Sequence, residues 1–141
     1  MPLLANDTDG AVTRKRLEQY VAQREKVTAV AVTNAATPTA AQLLDSKLFV
    51  ATPTEDTTFT LPTAASVLAA LTDEAVGTSF EFTIVNVATS FEVVVTTNTG
   101  WTITGGGFMT VFDGTSATFL AVVTSASAIQ LYRKGSGGAV K

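Results

Sequence analysis

Apolar and polar positions alternate with a period of two over most of this chain, and with a helical period in only two places. Phe80, Phe82 and Ile84 alternate with Glu81, Thr83 and Val85, and Phe91, Val93 and Val95 alternate with Glu92, Val94 and Thr96. Successive side chains of a strand point to opposite faces, so each run predicts a strand with one face in a core. Those six apolar residues are the expected centre of that core. After the turn Asn98-Thr99-Gly100, Trp101 and Ile103 begin another strand. Phe108–Phe112 and Thr115–Val123 follow, joined through Asp113-Gly114, a dipeptide that favours tight hairpins. Ser125-Ala126-Ser127 turns into a last strand, Ala128–Arg133. Nearer the start, strands are expected at Lys26–Thr33, Leu48–Thr52 and Thr57–Leu61, separated by a Pro38-containing loop and the Pro53–Asp56 turn.

One helical stretch is Thr63–Leu71, where Ala64, Val67, Leu68 and Leu71 share a face. Pro62 suits its start, because the missing N–H would have had no partner there. The other is Ala11–Glu25, in which Leu17, Tyr20, Val21 and Arg24 fall at i, i+3, i+4 and i+7. So short a helix is marginal alone and has to dock on something. Its own β-body is one partner; another protein, or copies of itself around a symmetry axis, is the other. The chain therefore divides into an N-terminal helical arm (1–26), a β domain (27–134) and a Gly/Ser-rich flexible tail (135–141). The expected fold is mainly β, an antiparallel β-sandwich or jelly-roll-like barrel with one short helix, preceded by the arm.

Charge sharpens this division. Five of the nine basic residues (Arg14, Lys15, Arg16, Arg24, Lys26) lie in the arm, and none lies between Lys47 and Arg133. Only 15% of residues are charged, against a usual quarter, and the net charge is −3. There is no basic face for nucleic acid. No stretch reaches the ~20 apolar residues a bilayer requires, and the start lacks the marks of a signal peptide. A chain made in a cytoplasm and free of membrane is expected. Edge strands usually carry lysines against unwanted pairing; with none here, trimerisation or docking is expected to cover them.

Reactive groups are scarce. The chain has no His and no Cys, which removes imidazole and thiolate chemistry. Gly105-Gly106-Gly107 is not followed by the Lys-Ser/Thr of a phosphate loop and reads as a turn or bulge. Glu81 and Glu92 fall on neighbouring strands and are the only carboxylate pair placed for glycoside hydrolysis; two glutamates on a solvated sheet face are the plainer reading. Asp7, Asp9, Asp73 and Glu74 read as caps and loop residues. Trp101, Tyr20 and Tyr132 are candidates for a sugar-stacking platform, although Trp101 suits a core or interface better. No catalysis, cofactor or metal is expected.

Leu61-Pro62, the Ala-rich segment Ala64–Leu71, Val76-Gly77, Phe80–Asn86, Gly100-Trp101 and Leu131-Tyr132 form a pattern over residues 48–133. It resembles that of capsid decoration (cement) proteins of tailed bacteriophages and related virion β-sandwich modules. The resemblance implies a homotrimer on the outside of an icosahedral capsid, bridging neighbouring subunits of the major capsid protein, with no chemistry required. The first 26 residues lie outside it. Under this reading Arg14, Arg16, Leu17, Tyr20, Val21 and Arg24 contact the capsid or a neighbouring protomer. The alternative is a receptor- or glycan-binding module of a phage head or tail fibre, which requires Trp101 as a surface aromatic.

Overall fold

The computed structural model describes residues 26–72, 75–104 and 108–138. Its period-two runs become strands: β1 (Val30–Val32), β2 (Leu48–Ala51), β3 (Thr57–Thr60), β4 (Ser79–Asn86), β5 (Val93–Thr96), β6 (Trp101–Ile103), β7 (Thr110–Val111), β8 (Thr115–Ser125) and β9 (Ala128–Gly138). One α-helix, α1 (Ala64–Ala70), follows Pro62, and a π-helical turn (Gln42–Ser46) precedes β2. Thr63 caps α1 by accepting the Ser66 amide on its hydroxyl at 3.2 Å. The fold is mainly β and has two sheets, one of six strands in the order β1-β2-β4-β8-β9-β6 and one of three in the order β3-β5-β7.

The sheets are mixed, which corrects the expectation of an antiparallel fold. Among the described residues four of the seven strand pairings are parallel: β1 with β2, β2 with β4, β3 with β5, and β6 with β9. Period two is the same in both kinds of ladder, so alternation does not report strand direction. Direction follows from the connections. Parallel neighbours need a crossover of a dozen or so residues, which residues 33–47 and 52–78 supply. The Asp113-Gly114 turn forms, with the Thr115 amide on the Phe112 carbonyl at 3.1 Å and Gly114 at φ 66°. It joins no hairpin, because β7 and β8 belong to different sheets. The true hairpin is β8–β9.

Strand β9 also runs past the expected end of the domain. The backbone of 135–138 pairs with Thr115–Thr118, so the ladder takes in residues assigned to the tail. Glycine has both ladder groups, and its composition did not prevent pairing. The arm, except Lys26, lies outside the described residues, as do Asp73, Glu74 and Gly105–Gly107.

Both sheets feed one core. Phe59 of the small sheet meets Phe49 of the large one edge-on at 4.8 Å, and Phe82 stacks on Phe119 at 5.2 Å. All four rings are buried, with Leu43 from the π-turn and Ala64, Val67 and Leu68 from α1 around them. Phe82, Ile84, Val93 and Val95 occupy the core as their spacing predicts, and Phe80 is half-buried against it. Phe91 does not, being 36% exposed. Side chains hold the backbone ahead of β5: Asn86 donates to the Phe91 carbonyl and Asp56 accepts the Glu92 amide, so the strand begins only at Val93.

Sheet edges are handled within the chain. β1 and β6 span three residues each and β7 two, too short to template a foreign strand. Ala36 bridges to Phe59 and covers the outer edge of β3. The missing lysines thus have a structural counterpart, and edge-covering ceases to be a reason for oligomers.

Candidate functional site

The sequence pattern from Leu61 to Trp101 turns out to be a packing joint. Leu61 and Pro62 are buried, and Trp101 at the start of β6 donates its indole Nε1–H to the Pro62 carbonyl at 2.8 Å. The Ala64 amide donates to the Thr99 carbonyl at 2.9 Å. These bonds seat the first turn of α1 on the turn before β6. Gly100, at φ 86°, lies so close that an added Cβ would come within 2.6 Å of the Ala64 Cβ and 2.9 Å of the Ser127 carbonyl oxygen. Only glycine fits both the dihedral and the space. Trp101 is 7% exposed and is therefore no surface aromatic. The glycan platform loses its central ring.

Asn86, the last residue of the Phe80–Asn86 run, is a second joint. Its side chain is buried, donates to the carbonyls of Phe91 (2.8 Å) and Val111 (3.1 Å), and accepts the Ala88 amide (3.1 Å). A residue of the large sheet thereby holds the loop into β5 and the end of β7. No apolar or carboxylate side chain offers two donors and an acceptor here.

Arg133 makes the third joint and the most exposed one. On β9 it is paired with Phe119, and the register slips beside it, leaving Lys134 unmatched. Its guanidinium Nη1 donates to the carbonyls of Phe108 (2.6 Å) and Thr110 (2.7 Å), tying the large sheet to the unpaired side of β7. It also lies 5.6 Å from the Phe108 ring centroid and 6.0 Å from that of Phe119. Burial pushes its pKa below the usual value, while an arginine starts so high that the charge is kept. Phe108 is 58% exposed and packs on Phe112 with centroids 5.5 Å apart. An exposed ring, Phe108, packed on the half-buried Phe112 beside an arginine fixed by two carbonyls, forms a surface patch with no reactive group in it.

The other predicted residues separate. Arg14, Arg16, Leu17, Tyr20, Val21 and Arg24 lie outside the described residues. Glu81 and Glu92 are not on neighbouring strands: Glu81 is on β4 of the large sheet and Glu92 precedes β5 of the small one. Glu81 instead accepts from Lys134 Nζ at 2.6 Å. Tyr132 sits on β9 next to Leu120 of β8. Sequence reasoning passed over the Arg133–Phe108 patch. Its one available signal was Arg133 itself, the first basic residue after 85 positions without one. No known family, curated protein or solved structure matches the chain.

Proposed function

We propose that this chain is a virion structural protein, a decoration or cement protein that binds the outside of an icosahedral phage capsid and stabilises its capsomer junctions without catalysis. Its two sheets are read as the halves of a β-sandwich. The observation that carries the proposal is the patch of Phe108, Phe112 and Arg133. Aromatic residues and arginine concentrate the energy of protein–protein interfaces, most of all where they are held rigid before binding. Here the arginine is already bonded and the rings already packed, so little ordering is left to be done on contact. A shell loaded by packaged DNA gains from interface laid across its joints. A standard contact of about 1,600 Å², repeated by each copy of a trimer through avidity, supplies that. Arg14, Arg16 and Arg24 add a basic arm toward the major capsid protein or a neighbouring protomer.

Co-sedimentation with capsids of the phage that encodes the chain tests this. The full chain should pellet with the shells, and Phe108→Asp should weaken binding at least about tenfold, the loss of one desolvated aromatic anchor. If Phe108→Asp binds as the parent does, the patch is not the contact. If the chain ignores shells and scores on a glycan array, the receptor-binding reading replaces this one.

A further inference from the structure

The patch of Phe108, Phe112 and Arg133 lies wholly within the described residues, and its arginine has donors to spare. A guanidinium carries five N–H groups and no acceptor. Nη1 spends both of its hydrogens inside the chain, on the carbonyls of Phe108 and Thr110. Nε and Nη2 donate to nothing among the described residues, and no buried side-chain nitrogen there lacks a partner. Both atoms are therefore open to solvent. They lie side by side in the guanidinium plane with parallel N–H groups, the fork that a carboxylate meets with both oxygens. The charge is open as well. Lys134, the next residue, is committed to Glu81 at 2.6 Å, whereas no carboxylate among the described residues pairs with Arg133.

We infer that this patch seats a segment of the major capsid protein that presents a carboxylate with an apolar side chain beside it. The carboxylate takes Arg133 Nε and Nη2 side-on, and the apolar group covers the exposed ring of Phe108. The inference rests on the patch being the capsid contact, and it says what the capsid has to present there. Desolvation carries the argument. Covering Arg133 with neutral apolar surface strands a charge and three N–H groups in a dry interface, a penalty larger than the burial of one ring offsets. A partner carbonyl answers one donor and leaves the charge, whereas a carboxylate answers two donors and the charge together. The fork is also set before contact. Two internal carbonyls hold the guanidinium 5.6 Å from the Phe108 ring centroid, so little freedom is lost when the partner arrives. A polyanion is the wrong occupant. Seven acidic residues and no basic one lie between Lys47 and Arg133, so a phosphate chain meets one cation in negative surroundings. One carboxylate matches one unpaired cation.

Two measurements on the full chain test this, with capsids of the phage that encodes it as the probe. In co-sedimentation, Arg133→Gln should weaken binding at least about tenfold, the effect of leaving an interfacial charge without its partner. Arg133→Lys places a primary amine at the same position, and a water-soluble carbodiimide joins such an amine to a touching carboxylate as an amide, taking up the water released. On capsids this variant should gain a crosslink from position 133 to an Asp or Glu of the major capsid protein. The parent chain should not form it, because a guanidinium does not couple, and adding Phe108→Asp should lower its yield at least about tenfold. If Arg133→Gln loosens the fold, the crosslink alone decides. Suppose that Phe108→Asp weakens binding while Arg133→Gln binds as the parent does, or while position 133 couples to no capsid carboxylate. The patch is then the contact and the carboxylate pairing is overturned. If Phe108→Asp alone leaves binding unchanged, the capsid reading of the patch fails and takes this inference with it. A crosslink from position 133 to a second copy of the chain overturns the inference in favour of a contact between protomers.

Discussion

A single Cβ separates two of the glycines. Gly77 and Gly100 both adopt a positive φ, at 96° and 86°, but an added Cβ at Gly77 meets nothing within 4 Å. Gly77→Ala should therefore cost only the dihedral strain, about 1–2 kcal/mol. Gly100→Ala adds a clash with Ala64 and with the Ser127 carbonyl, and should cost about 2–5 kcal/mol in all, as overpacking adds about 1–3. Urea unfolding of the two variants checks the order; equal losses would mean that the α1–β6 joint yields freely. Trp101 and Asn86 teach the same lesson at this scale. Each stood out in the sequence, one as a possible binding surface and the other inside a motif, and each is held by hydrogen bonds to backbone carbonyls. A buried indole or amide has to find such partners, and here Pro62 for Trp101 and Val111 for Asn86 come from segments distant along the chain.

At the level of elements, β7 depends on a neighbour outside its own sheet. It pairs through only two residues with β5, and its other side is held by Arg133. Arg133→Lys keeps the charge but loses the planar guanidinium whose Nη1 reaches both carbonyls while lying against the Phe108 ring. Amide exchange in β5 and β7 should then rise about tenfold or more, since losing one net charged hydrogen bond of about 1.5 kcal/mol already gives that factor. β4 and β8, paired over seven positions, should be unaffected. Uniform acceleration across both sheets would show that Arg133 supports the whole fold and not this edge. Strand existence was legible because β4 alternates and β5 and β8 are rich in valine, threonine and phenylalanine, and α1 because Pro62, Thr63 and an apolar face coincide. Strand direction was not legible. Phe91 was misplaced because a run of alternating residues carries no mark of where its pairing partner starts, and the tail because glycine composition says nothing of an available ladder.

At the scale of the whole molecule, a single exposed ion pair adds little to stability. The exposed Lys134–Glu81 pair, its side chains 58% and 43% exposed, is worth no more than ~0.2–1 kcal/mol. Burial of the apolar core, with the phenylalanine cluster in it, is the dominant favourable contribution. Weak charge also means weak repulsion between copies, as the proposed trimer requires. Sedimentation of the purified chain over a range of concentrations should give a species near three times 14.6 kDa. A monomer throughout would remove the trimer from the functional reading while leaving the Phe108 contact to be tested on shells.

What the sequence determined by itself is local. Alternation set where most strands form and sent Phe82, Ile84, Val93 and Val95 into the core, Pro62-Thr63 set where α1 begins, and the absence of His and Cys limited the available chemistry. The tertiary structure alone decided what depends on long-range pairing. It put β7 and β8 in different sheets, made the ladders mixed, buried Trp101, separated Glu81 from Glu92, and brought Arg133 onto Phe108. The reason is physical. Period and capping are properties of a few consecutive residues, whereas a partner 25 or 39 positions away is chosen by packing of the whole core.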